Sequence, residues 1–252
     1  MTRNDSSGRP DAEDVSGLAV KQAFLAHLGS LRERYLPDVV FLLDDVVREA
    51  QLGDTGLAEM CRYHFRTGGK RLRALLPLLM ADCLGEDPAT ALPMGAACEM
   101  LHNATLVHDD VQDGDEARRG HETVWHRFGV ARAINLGDAM FYFTLLLVQR
   151  MSVTSERREV LARRILVETL KVIDGQEQEF ALRVSAQPTL AQYFDMVEAK
   201  TARFFVLGMA GSAEMFGRES EVVEGLTEGA RQLGILFQIQ DDVLDLYGDK
   251  GR

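Results

Sequence analysis

Apolar residues recur at the spacing of an α-helix along almost the whole chain. Val39, Leu43 and Val46 fall on one helical face, and later segments repeat the pattern. Short polar or glycine-containing breaks separate the segments, at residues 53–56, 85–88, 152–155, 187–189 and 217–220. Strand signals are scarce, and we find no internal repeat of solenoid period. The sequence therefore predicts an all-α fold, a single-domain bundle of long helices.

The length of the chain suits one large domain. Its 252 residues, of which 46% are hydrophobic, can bury a substantial core. Residues 1–17 are polar with Gly, Pro and Asp punctuation, so we expect a disordered N-terminal lead, followed by a helical domain over residues 18–252. The net charge of -11 argues against nucleic-acid binding, and it would repel an anionic substrate unless cations intervene.

No segment has the pattern of a signal peptide or of a membrane span. The first ten residues, MTRNDSSGRP, lack an apolar region. The longest apolar runs, such as residues 141–148, fall short of the roughly 20 residues that are needed to cross a bilayer. We therefore expect a soluble, cytoplasmic protein without stable membrane insertion.

Carboxylates are concentrated in the segment LVHDDVQDGDEARRG, residues 106–120. If residues 92–113 form one helix, His102, Asp109 and Asp113 point in the same direction, because spacings of four and seven return to one helical face. Asp110 lies next to Asp109. Like charges at this spacing repel each other. The segment is therefore either a solvated helix end, the commoner outcome for an isolated acidic cluster, or part of a cation site.

A second segment, FQIQDDVLDLYGD at residues 237–249, repeats the spacing with Asp241, Asp242 and Asp245. Asp241 and Asp245 share a helical face, and Gln238 lies one turn earlier. The neighbouring residues are strongly apolar, which favours carboxylates that line an interior cavity, and buried charges need partners. Mg²⁺ uses one or two carboxylates together with phosphate oxygens and water, so the two acid motifs indicate a magnesium site.

Basic residues accompany the acid motifs. In GGKRLR, residues 68–73, two glycines precede Lys70 and Arg73, so the backbone can approach a phosphate closely. The other basic sites are Arg118 and Arg119, after the first acid motif, and Lys200 with Thr201 in EAKTARFF. Each of these alone is more often a solvated surface feature. Together they predict a metal-bridged diphosphate site.

Several motifs in order resemble those of the trans-isoprenyl diphosphate synthases, the polyprenyl synthetase family. They are GGKRLR, LVHDDVQD, RRG, NLGD, DGQEQEF, AKTA and FQIQDDVLD, over about residues 64–249. Two DDxxD motifs in this context are highly specific. The resemblance implies long helices around a deep central cavity, a homodimer and a need for Mg²⁺. It also implies head-to-tail condensation of an allylic diphosphate with isopentenyl diphosphate to a longer trans-polyprenyl diphosphate.

The resemblance also implies roles for individual residues. The direct magnesium ligands would be Asp109, Asp113 and Asp241, and metal-bound water would be supported by Asp110, Asp242 and Asp245. The allylic diphosphate would contact Arg118, Lys200 and Gln238, with Thr201 beside Lys200. Isopentenyl diphosphate would be held by Lys70, Arg73, His102 and Arg119, with Gln176 near the reacting carbons. Without the resemblance, His102 would be interpreted as a core histidine and Gln176 as a surface glutamine.

Product length is predicted from residues that precede the first acid motif. Thr105 and Leu101 lie one and two helical turns before Asp109, on roughly the same face, and Ala104 lies beside Thr105. The resemblance implies that members with short products carry a bulky aromatic floor near these positions. Ala104 and Thr105 are small, so we expect a product of at least twenty carbons.

Three alternatives remain open. A class I terpene cyclase would share the first acid motif, but it is expected to carry a different second metal motif. A non-catalytic or partner-dependent subunit of a heteromeric synthase would keep the helical bundle. The family normally continues past the second acid motif, so the resemblance implies that C-terminal helices are lacking here, which keeps this alternative open. A purely structural helical protein would leave both acid clusters unexplained.

Overall fold

Ten α-helices make up nearly all of the regular structure over residues 12–247, the part of the chain that the computed structural model describes; side chains are described from residue 17 onward. Their bounds are α1 Ala12–Glu49, α2 Leu57–Arg66, α3 Leu72–Cys83, α4 Leu92–Asp113, α5 Val124–Phe128, α6 Val130–Gln149, α7 Ser155–Arg183, α8 Leu190–Val197, α9 Arg203–Met215 and α10 Ser220–Tyr247. The predicted all-α class is confirmed, and every predicted break falls at a junction between two helices.

Three short elements complete the chain. A 3₁₀-helix at Pro88–Ala91 leads into α4, and a π-helical segment at Glu198–Ala202 joins α8 to α9. The strands β1 (Ala117–Arg118) and β2 (His121–Glu122) form an antiparallel hairpin directly after the first acid motif. The sequence pattern did not predict this hairpin, because two-residue strands are too short to show an alternation.

The helix α4 is the central element of the core, and its predicted bounds, residues 92–113, are confirmed. Gly114 adopts a left-handed conformation, with φ of 71°, and ends the helix. Side chains of α4 such as Met100 and Val107 pack in one core cluster with Leu136 and Met140 of α6. Burial of each such side chain contributes roughly 1.5 to 3 kcal/mol, so the packing holds the acid motif at the C-terminal end of α4 in place.

The predicted N-terminal boundary is only partly correct. The helix α1 begins at Ala12, not near Leu18 as predicted. The remainder of the predicted disordered lead, residues 1–11, lies outside the described residues. Further along α1, Val39, Leu43 and Val46 are buried, as their helical spacing indicates.

The expectation about membrane spans needs one correction. Within residues 12–247, α6 is long and apolar enough to cross a bilayer, by length and composition only. The apolar run at residues 141–148 is only part of this helix, so its length was underestimated. Leu136, Met140, Phe143 and Leu147 of α6 belong to the main core. About 39% of the apolar window is buried, so one face of the helix packs in the core and the other is exposed.

Candidate active site

A cavity of about 600 Å³ lies between the C-terminal half of α4, α6, α7, the π-helical segment and α10. Many of the predicted site residues line it: Arg73, His102, Thr105, Asp109, Arg118, Arg119, Gln176, Lys200, Thr201, Gln238 and Asp241. Its apolar wall includes Leu106, Phe141, Val172, Phe204 and Phe237. The fold therefore brings one carboxylate of each acid motif and most of the predicted basic residues to one cavity.

The remaining predicted residues lie elsewhere. Lys70 and Asp245 are exposed, and neither lines the cavity. Leu101 and Ala104 are buried in the main core. Ala104 lies five residues before Asp109 and therefore on a different face of α4. It does not line the cavity, so the expectation that its side chain meets the growing chain is wrong. Asp110, Asp113 and Asp242 instead bond to other side chains.

Asp109 is the residue of the first acid motif that faces the cavity. Its burial raises the pKa of its carboxyl to about 6, although the nearby Lys200 acts in the opposite direction. The residue also lies near the C-terminal end of α4, where the helix dipole is negative. An ionised carboxylate is costly in this position, so the site favours a cationic ligand beside it.

Asp110 points away from the cavity and holds Arg118. The Arg118 guanidinium donates from Nε and Nη2 to Asp110 Oδ1, at 2.6 Å in both cases, and the Asp110 side chain is almost fully buried. Burial raises the pKa of Asp110, and the hydrogen bond from Arg118 opposes this shift. The predicted role of Asp110 in supporting metal-bound water does not fit this position. Asp110 positions Arg118 against the cavity.

In the second acid motif, as in the first, one aspartate lines the cavity and the next one bonds to protein side chains. Asp241 lines the cavity, while Asp242 accepts hydrogen bonds from Gln238 Nε2 at 2.8 Å and from the Tyr193 hydroxyl at 2.5 Å. Gln238 Oε1 in turn accepts from the Thr201 hydroxyl at 2.8 Å. Burial raises the pKa of Tyr193 to about 12, and the hydrogen bond to Asp242 contributes to the same shift. These bonds join α8, α10 and the π-helical segment, and they orient the amide of Gln238.

The apolar residues that follow Asp242 are exposed, contrary to expectation, whereas Phe237 before it lines the cavity. Val243, Leu244 and Leu246 all lie at the surface of the described part of the chain. Their apolar character was therefore a misleading reason to place the whole motif in an interior cavity. Only the helical face that carries Gln238 and Asp241 turns inward.

Several buried polar atoms face the cavity without a partner. Among the described residues, these include Arg73 Nε, His102 Nδ1 and both amide atoms of Gln176. Burial lowers the pKa of His102 well below its usual value, so its imidazole is neutral, and burial likewise lowers the pKa of Arg73. Buried polar groups without partners are costly, so this end of the cavity is suited to a polar ligand.

Arg71 and Arg119 both bond to backbone carbonyls near the GGKRLR segment. Both have φ of 54°, a left-handed conformation that is uncommon for residues other than glycine and that concentrates at functional sites. Arg71 donates to Glu99 Oε1 at 3.0 Å and to the carbonyl of Phe65 at 2.5 Å. Arg119 donates to the carbonyl of Gly68, so it connects the β-hairpin to the GGKRLR segment.

Lys200 and Thr201 lie in the π-helical segment, which is held between two glycines. A Cβ atom on Gly175 of α7 would lie 2.4 Å from the backbone nitrogen of Lys200. A Cβ atom on Gly234 of α10 would lie 2.4 Å from Cα of Ala202. Neither position has room for a side chain, and π-helical turns are frequent at functional sites. The two close approaches determine where Lys200 enters the cavity.

The carboxylates that face the cavity are suited to magnesium. Asp109 of α4 and Asp241 of α10 line it, and so do Asp138 of α6 and Glu177 of α7. Within residues 17–247, no three His, Cys, Asp or Glu side chains are grouped so that they could bind a metal ion. Mg²⁺ is usually held by one or two carboxylates plus phosphate oxygens and water, so this donor set fits a metal that arrives with a diphosphate.

Several polar residues at the site were not predicted: His108, Gln112, Asp138 and Glu177 line the cavity, and three more contact predicted site residues. Glu179 and Arg183 of α7 bond to Lys200 and Asp113, and Tyr193 of α8 bonds to Asp242. Glu179 lies inside the DGQEQEF motif, and its spacing of four residues from Arg183 is a typical helical ion pair. That spacing could have indicated the ion pair between Glu179 and Arg183 from the sequence. For Tyr193, no local pattern indicated a contact with Asp242.

Comparisons with known proteins identify one family. Residues 54–252 match the family model described as Polyprenyl synthetase. The geranylgeranyl pyrophosphate synthase of Geoglobus acetivorans is 32% identical over 210 residues, which cover 83% of this chain and 65% of that protein. The short chain isoprenyl diphosphate synthase of Methanocaldococcus jannaschii is 35% identical over 198 residues, 78% of this chain and 60% of that protein. The chain thus spans less than two thirds of the length of these two relatives.

Solved structures show the same fold. The crystal structure of geranylgeranyl pyrophosphate synthetase from Pyrococcus horikoshii superimposes with a TM-score of 0.81 at 29% identity, and the match covers 91% of this chain and 69% of that one. The family match extends over far more than half of the chain and includes both acid motifs. The chain therefore belongs to the polyprenyl synthetase family.

Proposed function

We propose that this chain carries the catalytic site of a magnesium-dependent prenyltransferase. It would condense an allylic diphosphate with isopentenyl diphosphate, head-to-tail, to give a trans-polyprenyl diphosphate of at least twenty carbons. The proposal is based on one observation: Asp109, Asp241, Arg118, Arg119 and Lys200 all line the same cavity. The names of the relatives, geranylgeranyl and short-chain isoprenyl diphosphate synthases, support the same reaction class.

The allylic diphosphate binds at the end of the cavity that carries both acid motifs. Asp109 and Asp241 would hold Mg²⁺, which when bound neutralises the diphosphate and makes it a better leaving group. Arg118, fixed by Asp110, and Lys200 contribute charge-assisted hydrogen bonds to the diphosphate oxygens. These contacts stabilise the negative charge that develops as the allylic carbon–oxygen bond breaks.

Isopentenyl diphosphate binds in the same cavity at a second group of basic residues. Arg73, Arg119 and the neutral His102 supply hydrogen-bond donors there. The double bond of this substrate attacks the allylic cation, and the released diphosphate takes the proton that is lost. Phe141 and Phe204 line the same cavity and help to exclude water, which would otherwise quench the cation.

The proposal is tested by incubating the purified chain with radiolabelled isopentenyl diphosphate, an allylic starter and Mg²⁺. We expect labelled polyprenyl diphosphates whose chain length is measured after dephosphorylation. Cyclic hydrocarbon formed from the allylic diphosphate alone would instead identify a terpene cyclase. Product that forms only when a second subunit is added would identify a partner-dependent subunit, and absence of product in every case would contradict the proposed reaction.

We include a homodimer and a cytoplasmic location in the proposal. Exposed apolar side chains on two neighbouring helices, Tyr142 and Leu146 of α6 with Leu166 and Leu170 of α7, form a face that a second copy would cover. Sedimentation equilibrium tests the homodimer: the wild-type chain should be a dimer, and Leu170→Glu should weaken it. A monomeric wild-type chain would contradict it.

The two substrates are expected to respond differently to loss of basic residues. Arg119→Ala should raise the KM for isopentenyl diphosphate about tenfold or more, with a smaller effect on the allylic substrate, because it removes a charge-assisted contact worth about 1.5 to 3 kcal/mol. Lys200→Ala should show the opposite bias. Lys70 is exposed and outside the cavity lining, so Lys70→Ala should have a smaller effect than Arg119→Ala. Equal changes in both KM values for each variant would refute this division of the cavity.

The close contact at Gly175 leads to a further expectation. Gly175→Ala should displace Lys200 and weaken binding of the allylic diphosphate, as well as destabilise the fold by about 1 to 3 kcal/mol through overpacking. Gly208→Ala is the matched control, because its Cβ would crowd Leu76 at 2.9 Å in another part of the core. Urea unfolding and substrate titration of both variants separate the two effects. Similar KM values in the two variants would show that Gly175 serves packing alone.

A further inference from the structure

Four charged side chains form a continuous chain of ion pairs beside the cavity. Arg183 Nη1 donates to Asp113 Oδ1 at 2.8 Å, and Arg183 Nη2 donates to Glu179 Oε1 at 2.5 Å. The second oxygen of Glu179 accepts from Lys200 Nζ, also at 2.5 Å. The order is therefore Asp113, Arg183, Glu179, Lys200, with alternating charge and no net charge.

The two ends of this chain are residues that ligands would use. Asp113 belongs to the first acid motif, and Lys200 lines the cavity. The two inner residues, Glu179 and Arg183, are one turn apart on α7 and already pair with each other. A cation that binds the Asp113 carboxylate must compete with Arg183, and a diphosphate that binds Lys200 must compete with Glu179.

We propose that Arg183 and Glu179 are positioning residues that act as displaceable internal counter-ions, holding Asp113 and Lys200 until a divalent cation and a diphosphate replace them. This inference rests on the proposed function, since that function brings a divalent cation to the first acid motif, to which Asp113 belongs, and a diphosphate to Lys200. On replacement, Arg183 and Glu179 keep each other as partners on α7, so the exchange leaves no charged group of the four unpaired. The arrangement also reduces repulsion within the acid motif before the ligands bind.

The exchange links the two binding events. When a cation takes Asp113, Arg183 interacts with Glu179 alone, and the hold of Glu179 on Lys200 weakens. Removal of Arg183 frees Asp113 and should favour the cation. At saturating pyrophosphate, where Lys200 is already released from Glu179, removal of the Glu179 charge leaves Arg183 to pair with Asp113 alone and should disfavour the cation. A purely structural role for the two residues would not produce shifts in opposite directions.

The test measures Mg²⁺ binding by calorimetry in the presence of saturating inorganic pyrophosphate, after subtraction of the heat of Mg²⁺ binding to pyrophosphate alone. Arg183→Ala should lower the half-saturating Mg²⁺ concentration about two- to fivefold, the range expected of one partly exposed ion pair. Glu179→Gln should raise it by a similar factor. Arg183→Lys should stay close to wild type, and so should Arg163→Ala, which removes an exposed arginine from the same helix. Melting curves of each variant establish that it is folded.

The outcomes are distinguishable from those that test the reaction. Unchanged half-saturating concentrations, or shifts in the same direction for Arg183→Ala and Glu179→Gln, would overturn the counter-ion role even if prenyl products form. Opposite shifts without prenyl products would support the role and overturn the reaction. If Arg183→Ala does not fold, Glu179→Gln decides alone. Absence of any Mg²⁺ binding by the wild-type chain in the presence of pyrophosphate would overturn both.

Discussion

Replacement of Asp109 or Asp241 by alanine is expected to lower prenyl transfer about a thousandfold, because removing one group that stabilises charge in the transition state commonly costs several kcal/mol. Both carboxylates line the cavity, and they come from different helices, so neither can substitute for the other. Steady-state turnover at saturating Mg²⁺ and saturating substrates measures the effect. Asp195→Ala, which removes an exposed carboxylate from α8, should retain turnover.

The variant Asp109→Asn separates loss of a metal ligand from loss of fold. Burial raises the pKa of Asp109 from 3.8 to about 6, so in the metal-free protein its protonated form is favoured on folding. This contribution to stability is complete below the unfolded value and is lost as the pH rises through the folded value. Asp109→Asn should therefore melt at a higher temperature than wild type at about pH 7.5 in chelator, with the difference vanishing near pH 4.

Two results would contradict the assignment of Asp109. Near-normal turnover of Asp109→Ala or Asp241→Ala at saturating Mg²⁺ would remove the reason to place the metal there. A lower melting temperature of Asp109→Asn in chelator would show that the ionised carboxylate stabilises the metal-free fold, contrary to the effect of its burial.

Thr105→Phe is expected to shorten the product by at least one five-carbon unit. Thr105 lines the cavity one turn below Asp109, and one helical turn of about 5.4 Å is comparable to one added isoprene unit. A second cavity of about 430 Å³ continues from there, sharing Phe141 and Ile173 with the first and extending to Leu101. A phenylalanine at position 105 would obstruct the route between the two spaces. Chain-length analysis of the labelled product measures the change.

Two matched variants control this expectation. Thr105→Val has nearly the volume of the wild-type residue and should leave product length unchanged. Ala104→Phe enters the packed core, since Ala104 is fully buried, and should lower the melting temperature without a specific change in product length. Release of wild-type-length product by Thr105→Phe, or of farnesyl diphosphate alone by the unmodified chain, would show that the floor of the cavity lies elsewhere.

Local spacing was sufficient to predict much of this protein. The helical period, the breaks between helices and the bounds of α4 depend on residues that are near one another in the sequence, and they are confirmed. The order and spacing of the motifs likewise indicated the family that the comparison then established. Spacing also indicated that Asp109 shares a helical face with His102, and both residues line one cavity.

Contacts between distant segments determined how the site is divided. Spacing along a helix defines a face, but it does not show which other helix lies opposite that face. For this reason Asp110 and Asp242 were expected to support metal-bound water, although Arg118 and Tyr193 bond to them in the folded chain. The pair of Arg183 with Asp113 joins residues 70 positions apart, and the packing of α7 beside α4 brings them together. Such partners depend on where whole helices pack, which no local pattern of residues records.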